Sequence, residues 1–262
     1  MYDCIMEQFI KYRWFIVIAL MLTLDGLSYY IYKWEYRDPV LDVHFLSLSR
    51  GRAVFVRTPE NKTILIGGGQ NSTVIRELTS RMPFYRRKID MVIIPSAVPA
   101  QIGGLIEVIE RYEVGEIVMP EIHATSTALS ILLRDINKKK IHVEEVKRGD
   151  VIEIEKEVNL SVLFPYEEFK FNKTSLPELG LRIDYKETSA YFLGNLSKTI
   201  QKDIMKNVAN IKDRNIVEYY HSGGESKTSL ELVEKLNPQF TFTTKEKSAH
   251  LVSDGRFWRE ER

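Results

Sequence analysis

Cysteine is almost absent: Cys4 is the only one in 262 residues, which excludes an internal disulfide and any cysteine-rich metal site. Charge of one sign is not in excess either. The 37 Lys and Arg nearly cancel the 36 Asp and Glu, so the net charge of +1 argues neither for nor against a polyanionic partner, and local clusters must decide. Nucleotide signatures are missing: Gly67, Gly68 and Gly69 run together, but no Gly-x-Gly-x-x-Gly or Lys-Ser/Thr pattern follows them. Nucleophile signatures are missing too. Ser96 follows an apolar run, yet no Gly-x-Ser-x-Gly elbow surrounds it and no acid is placed to orient a histidine.

What the chain does have is apolar content, 44%, enough for a proper core and one domain of ordinary size plus an accessory segment. The accessory segment is residues 14–32, WFIVIALMLTLDGLSYYIY, about the length that spans a bilayer as a helix. Trp14 at one end and Tyr29, Tyr30, Tyr32 and Trp34 at the other match interfacial aromatic belts. A cleavable signal peptide is the competing reading, but no small-x-small site follows and the far flank is bulky, so an uncleaved anchor is expected. Asp25, the only charge in the stretch, either meets a partner helix or lies close enough to the interface to be hydrated. Lys11 and Arg13 before the stretch balance Lys33 and Arg37 after it, which leaves the orientation open. The organisation expected is a tail, anchor and linker over 1–40 and one domain over 41–262.

In that domain, residues 41–48, 53–57 and 63–66 read as strands, 74–80 as a helix and 82–88 as a basic connection. Met91, Val92, Ile93 and Ile94 form a short apolar run of the kind buried on both faces of a sheet, ending at Pro95. Pro99 and the Gly103-Gly104 pair mark an irregular loop, with a helix over 105–112. A strand at 116–119, a helix at 126–138 and a strand at 142–146 continue the alternation. Further strands are expected at 151–154, 160–164, 181–185 and 190–193. Alternating strands and helices followed by a run of strands fit a layered α/β fold.

With PSAVPAQIGG at 95–104 as its centre, the run from Val43 to Pro120, and more loosely the chain from Leu41 to His250, resembles the metallo-β-lactamase-like C-terminal domain of ComEC/Rec2 competence proteins. In that family the same strand is followed by Thr-His-x-His-x-Asp-His-Ile-Gly-Gly, whose histidines and aspartate hold two zinc-type ions. Ile102, Gly103 and Gly104 keep the tail of the motif, whereas Ser96, Val98, Ala100 and Gln101 stand at the ligand positions. None of these four supplies the imidazole, thiolate or carboxylate that a transition metal needs. Upstream, FLSLSRGRA and TILIGGG match Phe-Leu-Asp-Val-Gly-Gln-Gly-Asp-Ala and Thr-Ile-Leu-Ile-Asp-Gly-Gly, with Ser47, Arg52 and Gly67 at the aspartate positions. Downstream, Asn195 stands for the bridging aspartate of Leu-Leu-Thr-Gly-Asp. His221 and Ser222 match part of His-His-Gly-Ser, and His250 matches part of a Gly-His-Pro-like site.

The resemblance implies an αββα sandwich preceded by one transmembrane helix, with the domain extracytoplasmic and the N-terminal tail inside. It also implies a degenerate pocket of Ser47, Arg52, Gly67, Ser96, Val98, Ala100, Gln101, Asn195, His221, Ser222 and His250, with no metal, no cofactor and no catalytic residue. His44, His123 and His142 have no ligand-type neighbours at suitable spacing. Arg52, in place of an aspartate, is expected to give the pocket a positive lean and to hold a phosphate or small anion. Arg50 beside it and Arg86, Arg87 and Lys88 are further candidates for contacts to a phosphate backbone. The expected function is a membrane-anchored pseudoenzyme, a binding or scaffolding module in DNA uptake, its partner single-stranded DNA or an envelope protein rather than a small-molecule substrate. The alternative is a hydrolase of phosphodiesters or other esters with an altered metal set.

Overall fold

The structure is a computed structural model that describes residues 2–35, 39–122, 126–166, 178–207, 211–219, 221–222, 225–226, 228–243 and 248–261. The chain divides into two units, Met1–Asp38 and Pro39–Arg262.

The first unit is one long helix, α1 (Tyr2–Glu35). Its stretch Tyr12–Lys33, 22 residues, is long and apolar enough to cross a membrane, and at ~1.5 Å per residue it spans about 33 Å. Large apolar side chains including Trp14, Phe15, Leu20, Met21 and Leu22 lie exposed along it, which suits lipid rather than water.

The second unit begins with β1 (Leu41–Phe45), β2 (Val54–Arg57) and β3 (Thr63–Ile66), then α2 (Thr73–Arg81), β4 (Lys88–Ile93), α3 (Pro99–Arg111), β5 (Glu113–Met119), α4 (Thr127–Lys139) and β6 (His142–Glu145). The strands β7 (Val151–Glu155), β8 (Val158–Phe164), β9 (Gly180–Tyr185) and β10 (Thr188–Phe192) follow. The chain ends with α5 (Lys198–Asn207), β11 (Arg214–Tyr219), the short β12 (His221–Ser222) and β13 (Glu225–Ser226), α6 (Leu230–Leu236), β14 (Phe240–Thr243), β15 (Ala249–Ser253) and β16 (Trp258–Glu260). Eight strands form one sheet in the order β16-β15-β1-β2-β3-β4-β5-β6, and six form a second in the order β14-β11-β10-β9-β8-β7.

Strand alternation decides what goes where. Val43, Phe45, Met91 and Ile93 of the first sheet meet Leu160, Ile183, Ala190 and Ile216 of the second in the central core. Leu65, Val92 and Ile117 point the other way, onto Leu78, Leu105, Val108 and Leu132 of α2, α3 and α4. Leu163, Tyr191 and Val217 of the second sheet pack on Ile204, Leu232 and Leu236 of α5 and α6. The result is four layers, helix–sheet–sheet–helix, an αββα sandwich of the metallo-β-lactamase type. β4 is apolar on both sides because a layer covers each of its faces.

One sequence expectation is corrected by the structure. The stretch 99–104 is helical, not an irregular loop: Pro99 sits in the first turn of α3, where its missing N–H costs nothing. Gly103 and Gly104 are in the helix because backbone packs against them. A Cβ on Gly104 would lie 2.1 Å from the carbonyl oxygen of Gly68, and one on Gly103 2.1 Å from that of Gln70.

Candidate functional site

The site lies where β1, β3 and β4 end. These strands all run the same way, so the 46–53 connection, the glycine run after β3 and the start of α3 converge. Backbone bonds lace them together: Gly69 N donates to Arg52 O (3.0 Å), Gly68 N to Gln101 O (2.8 Å), Gly104 N to Gly69 O (3.0 Å) and Gly67 N to Ile93 O (2.9 Å). Gly51 has φ +83°, and a Cβ there would fall 1.7 Å from Ala100 O. This lacing fixes the direction of the Arg52 side chain, which turns inward.

Arg52 is only 9% exposed. Its guanidinium is ion-paired with Glu178, and Nη1 lies 2.5 Å from Glu218 Oε2. Both carboxylates are buried, with side chains 4% and 2% exposed. Gln101 Nε2 donates to Glu178 Oε1 at 2.9 Å. Glu178 is held in place by its neighbour, since Leu179 N donates to Pro95 O at 2.7 Å. Glu218 comes from β11 of the second sheet, so the triad crosses between the sheets. The cavity left beside it, ≈ 10 Å³ and lined by Arg52, Val54, Ile66, Pro95, Leu181, Phe192 and Glu218, has room for about one water. Gln101 Oε1 and Glu218 Oε1 have no hydrogen-bond partner among the described residues, and a water in this cavity would lie against Glu218, which lines it.

This geometry corrects the expected anion site. One guanidinium faces two carboxylates, so the pocket carries no positive lean, and Arg52 is committed to partners within the fold. Arg50 is exposed on the rim. The cluster of Arg86, Arg87 and Lys88 sits at the start of β4, six residues and about 20 Å of strand away from the site. There Arg86 donates to Asn61 O (2.7 Å) and pairs with Asp90 (3.3 Å), Lys88 pairs with Asp90 (3.4 Å), and Arg87 lies over the Tyr112 ring. Burial disfavours the charged Asp90 carboxylate, but hydrogen bonds from Thr63 and the charges of Arg86 and Lys88 outweigh it and hold the pKa below the ordinary value.

Of the other expected pocket residues, Gly67 (φ +70°) and the buried Ser96 lie at this site, with Ser96 Oγ accepting from Val98 N at 3.3 Å. Val98 caps α3 and Ala100 is in its first turn. Ser47 and Asn195 are exposed and make no part of the triad. His221 and Ser222 pair with β13 through their backbone, and their side chains lie outside the described residues, as does His123. His250 is elsewhere. It sits in β15 opposite His44 of β1, and since Val43, Phe45 and Leu251 face the central core, these two histidines face the other side of the sheet. Their rings stack at 3.9 Å, so His44 does have a ligand-type neighbour that its sequence spacing hid.

Two zinc-type ions, which the fold family implies, do not fit the residues at this site. Among the described side chains at the matched positions, Ser96, Val98, Ala100, Gln101 and Ser47 offer only hydroxyl, amide or hydrocarbon groups, Arg52 is a cation, His250 lies elsewhere, and the two nearby carboxylates are both engaged by the guanidinium. Glu178 and Glu218 were missed in the sequence because neither lies at a family position. The available signal was Arg52 itself: a cation in a buried position requires acids, and Glu218, directly after Ile216 and Val217 in β11, was one of them.

No family model matches the chain. The ComE operon protein 3 of Bacillus subtilis (strain 168) is 24% identical over 215 residues, which are 76% of this chain and 27% of that protein. The chain thus spans about a quarter of that relative's length. Among solved structures, CmlA, a diiron β-hydroxylase from Streptomyces venezuelae, superposes with a TM-score of 0.50 at 17% identity over 80% of this chain and 45% of its own. A metal-dependent hydrolase from Parabacteroides distasonis gives 0.47 at 10% identity over 78% and 82%. From Pro39 onward, this chain has a metallo-β-lactamase-like fold and is similar in sequence to the ComE operon protein 3, and among the described residues one helix, α1, precedes it that is long and apolar enough to cross a membrane.

Proposed function

We propose that the chain is a membrane-anchored, non-hydrolysing relative of the ComEC-type domain, which serves as a binding or scaffolding module. The observation that carries this reading is the buried Arg52–Glu178–Glu218 triad, with Gln101 attached, at the end of the sandwich where the family holds its metals. A fixed guanidinium takes over the charge balance that divalent ions would provide, and among the described residues there no group is placed to hold an ion that would polarise a phosphoryl oxygen or deprotonate water. With Arg52 neutralised inside the fold, an envelope protein is a better partner for this end of the domain than single-stranded DNA. The setting, DNA uptake at a cell envelope, is carried over from the resemblance.

The assay is hydrolysis of a chromogenic phosphodiester by the full chain in detergent, with zinc or manganese added in turn. No turnover above the metal blanks is expected. Turnover that saturates with either metal would favour the altered-ligand hydrolase instead.

The proposed orientation places the N-terminal tail inside and the domain outside the membrane. Cys4, the only thiol in the chain, lies before the span and reports on this directly. A membrane-impermeant maleimide should fail to label intact cells and should label them after permeabilisation. Equal labelling in both states would reverse the orientation.

A further inference from the structure

We propose that Asp42, His44 and His250 form a binding site for one divalent transition-metal ion, on the side of the eight-stranded sheet that faces away from the central core. Strand geometry brings the residues together. Asp42 and His44 are two apart on β1 and so share a face, and His250 is the cross-strand partner of His44 on β15. One ligand atom from each lies within 4.8 Å of the others. His250 Nε2 is 3.4 Å from Asp42 Oδ1, already the separation of two ligands on one tetrahedral ion with bonds of about 2.0–2.2 Å. The imidazoles lie face to face at 3.9 Å and 18°, so a shared ion requires the stacked rings to rotate until their in-plane nitrogens converge.

Neighbouring residues hold these ligands as outer groups hold them in metal sites. Asp42 is 1% exposed, and its Oδ2 accepts from Arg57 Nε (3.1 Å) and Nη2 (2.8 Å), which leaves Oδ1 directed at His250. Arg57 also lowers the affinity, because it shares the carboxylate's charge. On the other side of His250, Nδ1 faces Glu261 Oε2 at 3.7 Å, and Glu261 is tethered there by its N–H donating to His250 O at 2.9 Å. At 3.7 Å this is a charge contact and not a hydrogen bond; once closed on metal binding, it would favour the tautomer that presents Nε2 to the ion. Two imidazoles and one carboxylate suit zinc, nickel, copper or iron(II) rather than magnesium or calcium.

The experiment uses the full chain in detergent, stripped with chelator and titrated with zinc in a calorimeter. The expectation is saturable binding of about one zinc per chain, weakened at least ~100-fold in His44→Gln and in His250→Gln and about 10-fold in Glu261→Gln. His142→Gln, on an exposed position of β6, should bind as the unaltered chain does. Circular dichroism of the metal-free variants checks that they fold. If a variant does not, the visible spectrum of the unaltered chain loaded with cobalt(II) still reports nitrogen ligation in a low-symmetry site. No saturable zinc binding, or binding that His44→Gln and His250→Gln leave unchanged, overturns the proposal.

Discussion

Arg52→Ala is expected to cost about 3–5 kcal/mol of stability, because it leaves Glu178 and Glu218 buried without their cation. For a domain of this size the melting temperature should fall on the order of 10 °C. Arg50→Ala, two residues away but exposed, should stay within about 0.5 kcal/mol. The decisive comparison is a triple variant, Arg52→Met with Glu178→Gln and Glu218→Gln, which removes all three charges. It should recover much of the loss, since burying neutral groups avoids the desolvation that the charged triad has to overcome. A neutral Arg52→Ala would mean that Arg52 is a solvated loop arginine and that the triad does not hold the two sheets together.

Gly104→Ala is expected to lose about 3 kcal/mol or more, despite the gain of about 1 kcal/mol that alanine normally brings to a helix. Its Cβ would fall 2.1 Å from Gly68 O and 2.6 Å from Asn71 O. Both are backbone atoms, and they cannot retreat without breaking the Gly68 N to Gln101 O and Gly104 N to Gly69 O bonds. Chemical denaturation followed by circular dichroism measures the loss. It would show why Ile102, Gly103 and Gly104 match the family pattern where the ligand positions before them do not. The glycines let α3 lie against the glycine run after β3, and that contact is needed whether or not a metal is present.

Much of the fold was legible because its signals are local. The continuous apolar run of β4 marked a strand covered on both faces, and the alternation of strands and helices up to β6 gave six of the first sheet's eight strands and its helix layer, whereas β15 and β16 were not expected. The start of α3 was misjudged because proline and paired glycines signal a loop in isolation, whereas here proline opens the helix and the glycines admit a neighbouring backbone. The site was legible only in what it had lost. Arg52 stood out as a charge reversal, but its partners come from residues 126 and 166 positions later, a pairing that no spacing rule reaches. His250 was misplaced for a related reason. A short motif match set it in the pocket, while strand register sets it beside His44 on the other side of the sheet.

The central claim is that a guanidinium held by two carboxylates has replaced the metal centre. The direct measurement is elemental analysis of the full chain carrying His44→Gln and His250→Gln, purified from medium supplemented with zinc and manganese. These substitutions silence the separate Asp42 site and leave Arg52, Ser96 and Gln101 untouched. The account predicts well under about 0.1 metal ion per chain, because the described residues at the end of the sandwich form no ligand set. About two ions per chain, retained through gel filtration, would contradict it.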